Sequence, residues 1–167
     1  MADTGAGMTG KPRRDRLVEE HIHDPYLARS KPREPALCPD CSAVFMEGRW
    51  QWPKTTPDGA HSEPCPACQR VRDRVPAGFL SLAGEFFGSH RDEIMNLVHN
   101  EVERQKAEHP LKRIMEITEE NNGTVVISFT DVHLSRGVGE EIAHAYEGEL
   151  DIHYTEKSGI VRVYWQR

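Results

Sequence analysis

All four cysteines of this 167-residue chain fall in two C-x-x-C knuckles. They are Cys38-Pro-Asp-Cys41 and Cys65-Pro-Ala-Cys68, separated by residues 42–64. Each knuckle fills two coordination positions within one tight turn, so the pair supplies the four thiolates of a closed tetrahedral zinc site. Four thiolates leave no open position, so one structural Zn²⁺ is expected and a catalytic one is not. Disulfides need an oxidising compartment. Residues 1–16 are charged and lack an apolar segment, so no secretory signal is read there and a cytoplasmic location is expected. A thioredoxin-like C-x-x-C is single and follows a strand, whereas here the motif is doubled.

The spacing divides the chain into three parts. Residues 1–36 are a basic, proline-containing arm carrying Lys11, Arg13, Arg14 and Arg16, with little apolar surface to offset its ordering entropy. Two readings stand for it: a solvated tail, or an arm that orders on a partner. Residues 37–75 form a zinc ribbon held by the four cysteines, with a hairpin broken at Glu47-Gly48. A module this small draws much of its folding energy from metal binding. Residues 76–167 form an α+β domain. Its first stretch, 76–88, is apolar and punctuated by glycine, and reads as a packed junction.

A helix is expected from Ser89, capped by Ser89 with Asp92, burying Ile94, Leu97, Val98 and Val102. Beyond it the pattern reads ββαββ. Asn122-Gly123 turns one hairpin, and Val125, Ile127 and Phe129 alternate onto one face. Thr130 or Asp131 caps a helix burying Leu134, Val138 and Ile142, and Gly148 ends it. Leu150, Ile152 and Tyr154, then Val161, Val163 and Trp165, alternate in a second hairpin. The expected fold class is therefore α+β: a four-cysteine zinc ribbon, a helix, and an antiparallel sheet of about four strands with helices on one face.

Net charge is −6 and unevenly spread. Residues 1–74 hold 12 Lys+Arg against 11 Asp+Glu, and residues 75–167 hold 9 against 16. Phosphate contacts therefore belong to the first half. Arg49, Trp50, Trp52 and Lys54 lie on the ribbon, and Arg70, Arg72 and Arg74 follow the second knuckle. Cations beside aromatic rings suit RNA, through phosphate pairing and base stacking. The alternative is that both tryptophans cover the thin metal core and the arginines are solvated. A second constellation is His133 and Arg136 on a helix that also holds Gly137 and Gly139. Interior glycines admit a close backbone neighbour, either a strand of the same domain or a partner; His133 and Arg136 offer donors to an anion. No nucleophile elbow, P-loop or dinucleotide fingerprint is present, and no apolar run approaches a membrane span. No enzymatic activity, small-molecule substrate or membrane contact is expected.

The knuckles, with Thr130-x-x-His133-Leu134-x-Arg136 and Tyr146-x-Gly148-Glu149-Leu150, resemble a group of uncharacterised bacterial zinc-ribbon proteins over residues 15–167. These in turn resemble the N-terminal region of the archaeal and eukaryotic adaptor, of the nonsense-mediated-decay adaptor type, that binds the large ribosomal subunit and in eukaryotes escorts it from the nucleus. That adaptor has further C-x-x-C pairs, enough for two metal ions, where this chain has one set. The resemblance implies contact with the ribosome or a structured RNA, in assembly, stress or translation control, without implying transport or catalysis. The rival expectation is a protein-binding adaptor or regulator that works through its acidic C-terminal domain and touches no RNA.

Overall fold

The computed structural model describes residues 24–26 and 31–167. The expectations for the arm at 1–23 and 27–30 lie outside the described residues. The described residues form a mixed α+β fold, with two sheets and four helices among them.

The first sheet belongs to the cysteine module. Strands β1 (Ala36–Leu37), β2 (Val44–Met46), β3 (Arg49–Gln51) and β4 (His61–Ser62) lie in the order β3-β2-β1-β4, and helix α1 (Pro66–Asp73) follows. The β2–β3 hairpin turns where the sequence places it. Glu47 and Gly48 both take left-handed φ, 55° and 76°, as a two-residue hairpin turn requires. Glu47 carries a Cβ into that region, and the Glu34 carboxylate holds the turn by accepting the Glu47 and Gly48 N–H groups at 3.0 and 2.8 Å.

The second sheet departs from the expected one. Its strands are β5 (Gly78–Ala83), β6 (Ile114–Glu119), β7 (Val125–Phe129), β8 (Glu149–Tyr154) and β9 (Val161–Gln166), in the order β6-β7-β5-β9-β8. The segment expected to be a junction is the central strand. Leu80 and Leu82 are wholly buried between β7 and β9. Phe79 and Ala83 on the opposite face blur the period-2 signal into a short apolar run, as central strands often do. The sheet is therefore five-stranded and mixed. β5 runs parallel to β9, and every other pair is antiparallel.

Helix α3 (Arg91–Glu108) also begins differently. A short helix α2 (Glu85–Ser89) precedes it, and the Ser89 hydroxyl donates to the Glu85 carbonyl at 3.0 Å instead of capping α3. The buried stripe of α3 is Ile94, Val98 and Val102, with Leu97 half-buried beside it. Helix α4 (Val132–Tyr146) is capped by Asp131, whose carboxylate accepts the Leu134 N–H at 2.8 Å. Leu134, Val138 and Ile142 of α4 join Leu80, Leu82, Ile127, Val163 and Trp165 in one core.

The two glycines of α4 differ. A Cβ on Gly139 would lie 2.6 Å from Val163 Cγ1, whereas one on Gly137 meets nothing within 4 Å. Gly139 thus lets α4 approach β9, a strand of the same domain. On the sheet face away from the helices, register places Phe79 opposite Arg162 and Arg162 opposite His153, with Tyr164 one step along. Arg162, Tyr164 and Gln166 alternate with the buried residues of β9 and are exposed.

Candidate metal centre

The first knuckle closes on itself. The Cys38 N–H donates to the Ala43 carbonyl at 2.8 Å, and the Ser42 N–H to the Cys38 carbonyl at 2.9 Å, with Ser42 at φ 64°. The second pair does not sit on a matching ribbon turn. Cys65 is the N-cap of α1, Pro66 opens the helix, and Cys68 lies in its first turn. The Cys68 N–H donates to Cys65 Sγ at 3.4 Å, and the Cys65 N–H to Cys38 Sγ at 3.3 Å. The arrangement is a knuckle, a hairpin and a helix, with two thiols at the positive end of the helix dipole, where thiolate is favoured.

The four Sγ atoms lie within 4.8 Å of one another, and Cys41 Sγ is 3.7 Å from Cys65 Sγ. Sulfurs about 2.3 Å from a common tetrahedral ion stand about 3.8 Å apart. A disulfide needs about 2.05 Å, and all four cysteines are free. Cys38 and Cys65 are fully buried, and Cys68 nearly so. These residues are positioned to hold one metal ion. Burial pushes the Cys38 thiol up, but N–H groups of Cys65, Cys41 and Asp40 outweigh it and bring it down to about 7. Burial, and then the charge of its neighbours, holds Cys65 above the usual thiol range. Four thiolates packed this closely need a cation among them.

Part of that charge is met by a residue the sequence did not single out. Arg113 donates from Nη1 to Cys68 Sγ at 3.3 Å and from Nη2 to Cys41 and Cys65 Sγ at 3.3 and 3.2 Å. Its Nε donates to the Pro110 carbonyl at 2.8 Å, which fixes the fork. Its backbone exchanges bonds with Thr130, N–H to Oγ1 at 2.9 Å and Thr130 N–H to carbonyl at 3.0 Å. Arg113 thus ties the sulfur cluster to the entry of β6. Burial pulls the guanidinium pKa down, but the Cys68 bond and the cluster's charge raise it above the ordinary range. Leu111, two residues earlier, packs on the cysteines. The one signal that could have found it is the general rule that groups around a metal's ligands are held by outer hydrogen-bond donors. Nothing in Lys112-Arg113 distinguished it from a solvated turn.

The expected nucleic-acid residues divide. Arg49, Lys54, Arg72 and Arg74 are exposed. Arg72 pairs with Asp40 at 2.7 Å, both side chains in solvent. Trp50 is half-buried, packs on the cysteine cluster and lies 5.5 Å from the Phe45 ring. Trp52 turns inward, donating from Nε1 to the Lys106 carbonyl at 2.7 Å. Arg70 is only 4% exposed. It donates to the Val75 carbonyl at 2.9 Å, pairs with Asp24 and lies over the Tyr26 ring. These contacts fasten residues 24–26 to α1, and the Tyr26 hydroxyl adds a bond to Asp73 at 2.9 Å. On α4, His133 is exposed, and Arg136 pairs with Glu140 at 2.7 Å while donating to the Tyr154 hydroxyl at 3.3 Å.

Among the described residues no helix is long and apolar enough to cross a membrane. Compared with protein-family models, curated proteins and solved structures, the chain matches none.

Proposed function

We propose that the chain is a cytoplasmic, non-catalytic zinc protein that binds the ribosome or a structured RNA, in assembly, stress or translation control. Zn²⁺ suits four thiolates in tetrahedral array, and held by Cys38, Cys41, Cys65 and Cys68 it supplies a cross-link with no open position. The observation that carries the RNA reading is the exposed cationic set on the cysteine module, Arg49, Lys54, Arg72 and Arg74, with Trp50 beside Arg49. Residues 75–167 hold more carboxylates than cations and repel phosphate. Arg70 and Trp52 serve the fold and are not part of the proposed contact. Filter binding of a structured RNA across a salt series tests the reading. Several phosphate contacts predict a steep fall of affinity with salt. Replacing the four exposed cations with Ala flattens that slope. A salt-independent affinity contradicts the reading.

A second reading, a protein-binding adaptor, is favoured by the open sheet face. Phe79, Tyr164 and His153 surround Arg162 there, and Glu116, Glu149 and Asp151 share the face. Rings among carboxylates suit a basic protein segment. An apolar and acidic contact of that kind would survive loss of the four module cations.

A further inference from the structure

A cleft of about 430 Å³ runs between the cysteine module and the loop joining α3 to β6. That volume lies in the range of small-molecule sites. Trp50, Pro64, Pro66 and Leu111 give it half-buried apolar walls. Trp50 and Leu111 are also the residues packed on the cysteines, so the metal cluster sets their positions. Two exposed cations, Lys31 and Arg49, line the same cleft, and neither pairs with a carboxylate among the described residues. Lys31 lies over the Gly48 turn: a Cβ on Gly48 would stand 3.2 Å from its Nζ. Lys31 and Arg49 therefore both border one hairpin end, and Trp50 follows Arg49 in β3. The carboxylates lining the cleft are Glu63, which is exposed, and Asp131, which already caps α4; the Glu34 carboxylate lies on the Gly48 turn near Lys31, where it accepts the Gly48 N–H at 2.8 Å.

A flat apolar wall, adjacent unpaired cations and a few acceptors match one ligand class. We propose that this cleft binds a nucleoside monophosphate unit, with the base against Trp50, the phosphate at Lys31 and Arg49, and Glu63 as acceptor for a ribose hydroxyl or base amine. The unit has two sources, a free nucleotide or one residue of an RNA strand, and in the second case the proposal rests on the RNA reading above. Stacking supplies affinity with little base preference, while the cations supply the requirement for phosphate.

The test uses the full zinc-loaded chain and follows the Trp50 indole N–H and the Leu111 methyl signals by NMR. The probes are AMP, CMP, adenosine and a single-stranded hexanucleotide. AMP and CMP are expected to shift both signals, with adenosine about tenfold weaker for lack of the phosphate. Lys31→Glu with Arg49→Glu, both at exposed positions, should weaken AMP by a similar factor while zinc content stays the same. Lys31→Glu alone provides a milder variant should the double one fold poorly. If the hexanucleotide competes with AMP, the unit belongs to a strand. If AMP binds while neither hexanucleotide nor structured RNA does, the ligand is a free nucleotide and the RNA reading fails alone. RNA binding that leaves Trp50 and Leu111 unmoved, with AMP inert, overturns the cleft proposal and spares the RNA reading. Silence from every probe and from structured RNA overturns both.

Discussion

Replacing Arg113 tests how the metal centre is joined to the rest of the chain. Its guanidinium makes three N–H···S contacts of 3.2 to 3.3 Å to three of the four cysteines. Outer donors of this kind typically change metal affinity by about 10- to 100-fold, equivalent to about 1.4–2.7 kcal/mol. Arg113→Leu removes all three contacts but keeps bulk beneath the cluster, so zinc affinity should fall within that range. Arg113→Lys keeps the charge and loses the fork, and should fall between the two. The assay is competition with a chromophoric chelator on refolded, zinc-loaded protein, with circular dichroism confirming an intact sheet. If Arg113→Leu binds zinc within about twofold of the parent, well short of the range for outer donors, the guanidinium does not support the metal.

Four further outcomes follow from the same geometry. Removing the metal should melt the 36–73 module yet leave slow amide exchange in β5, β7 and β9, whose core is separate from the cysteines; uniform loss of protection would show one cooperative unit. Acidification should release zinc as the thiolates protonate, so bound metal, read by elemental analysis after dialysis, should decline as pH falls and not as it rises. Gly139→Ala should destabilise by about 1–3 kcal/mol through the clash with Val163, whereas Gly137→Ala should be neutral or stabilise by up to about 1 kcal/mol; equal melting shifts for the two would contradict the packing described. Arg70→Ala should cost about 1–3 kcal/mol, because it leaves the Val75 carbonyl unpaired and Asp24 with only the Tyr26 N–H, and thermal denaturation reads it.

Some of this structure was legible in the residues because their signals are local. The cysteine spacing names its own ligand set, and Glu47-Gly48 names a hairpin turn. The stripe Leu134, Val138 and Ile142 has helical period, and Val161, Val163 and Trp165 have strand period. Long-range facts left no such trace. The strand at 78–83 is central because it pairs with β7 and β9, about 50 and 80 residues away in the chain. Its parallel pairing with β9 needs everything between them as the crossover. Arg113 reaches sulfurs 45 to 72 residues upstream. Arg70 resembles Arg72 and Arg74 in sequence, yet it faces inward to Asp24, while Arg72 two residues on points to solvent and Arg74 lies past the helix as its left-handed C-cap. Composition could not separate those three arginines, and it could not show that Trp52 is spent on the end of α3.

Sedimentation of the zinc-loaded chain with ribosomal particles on a sucrose gradient reads ribosome association itself. The parent should travel with the particles at low salt and leave them as salt rises. The Arg49→Ala, Lys54→Ala, Arg72→Ala, Arg74→Ala variant should stay at the top with its zinc and fold intact. A parent that never enters the particle fractions, or a variant that follows them as fully as the parent, would contradict the proposed contact.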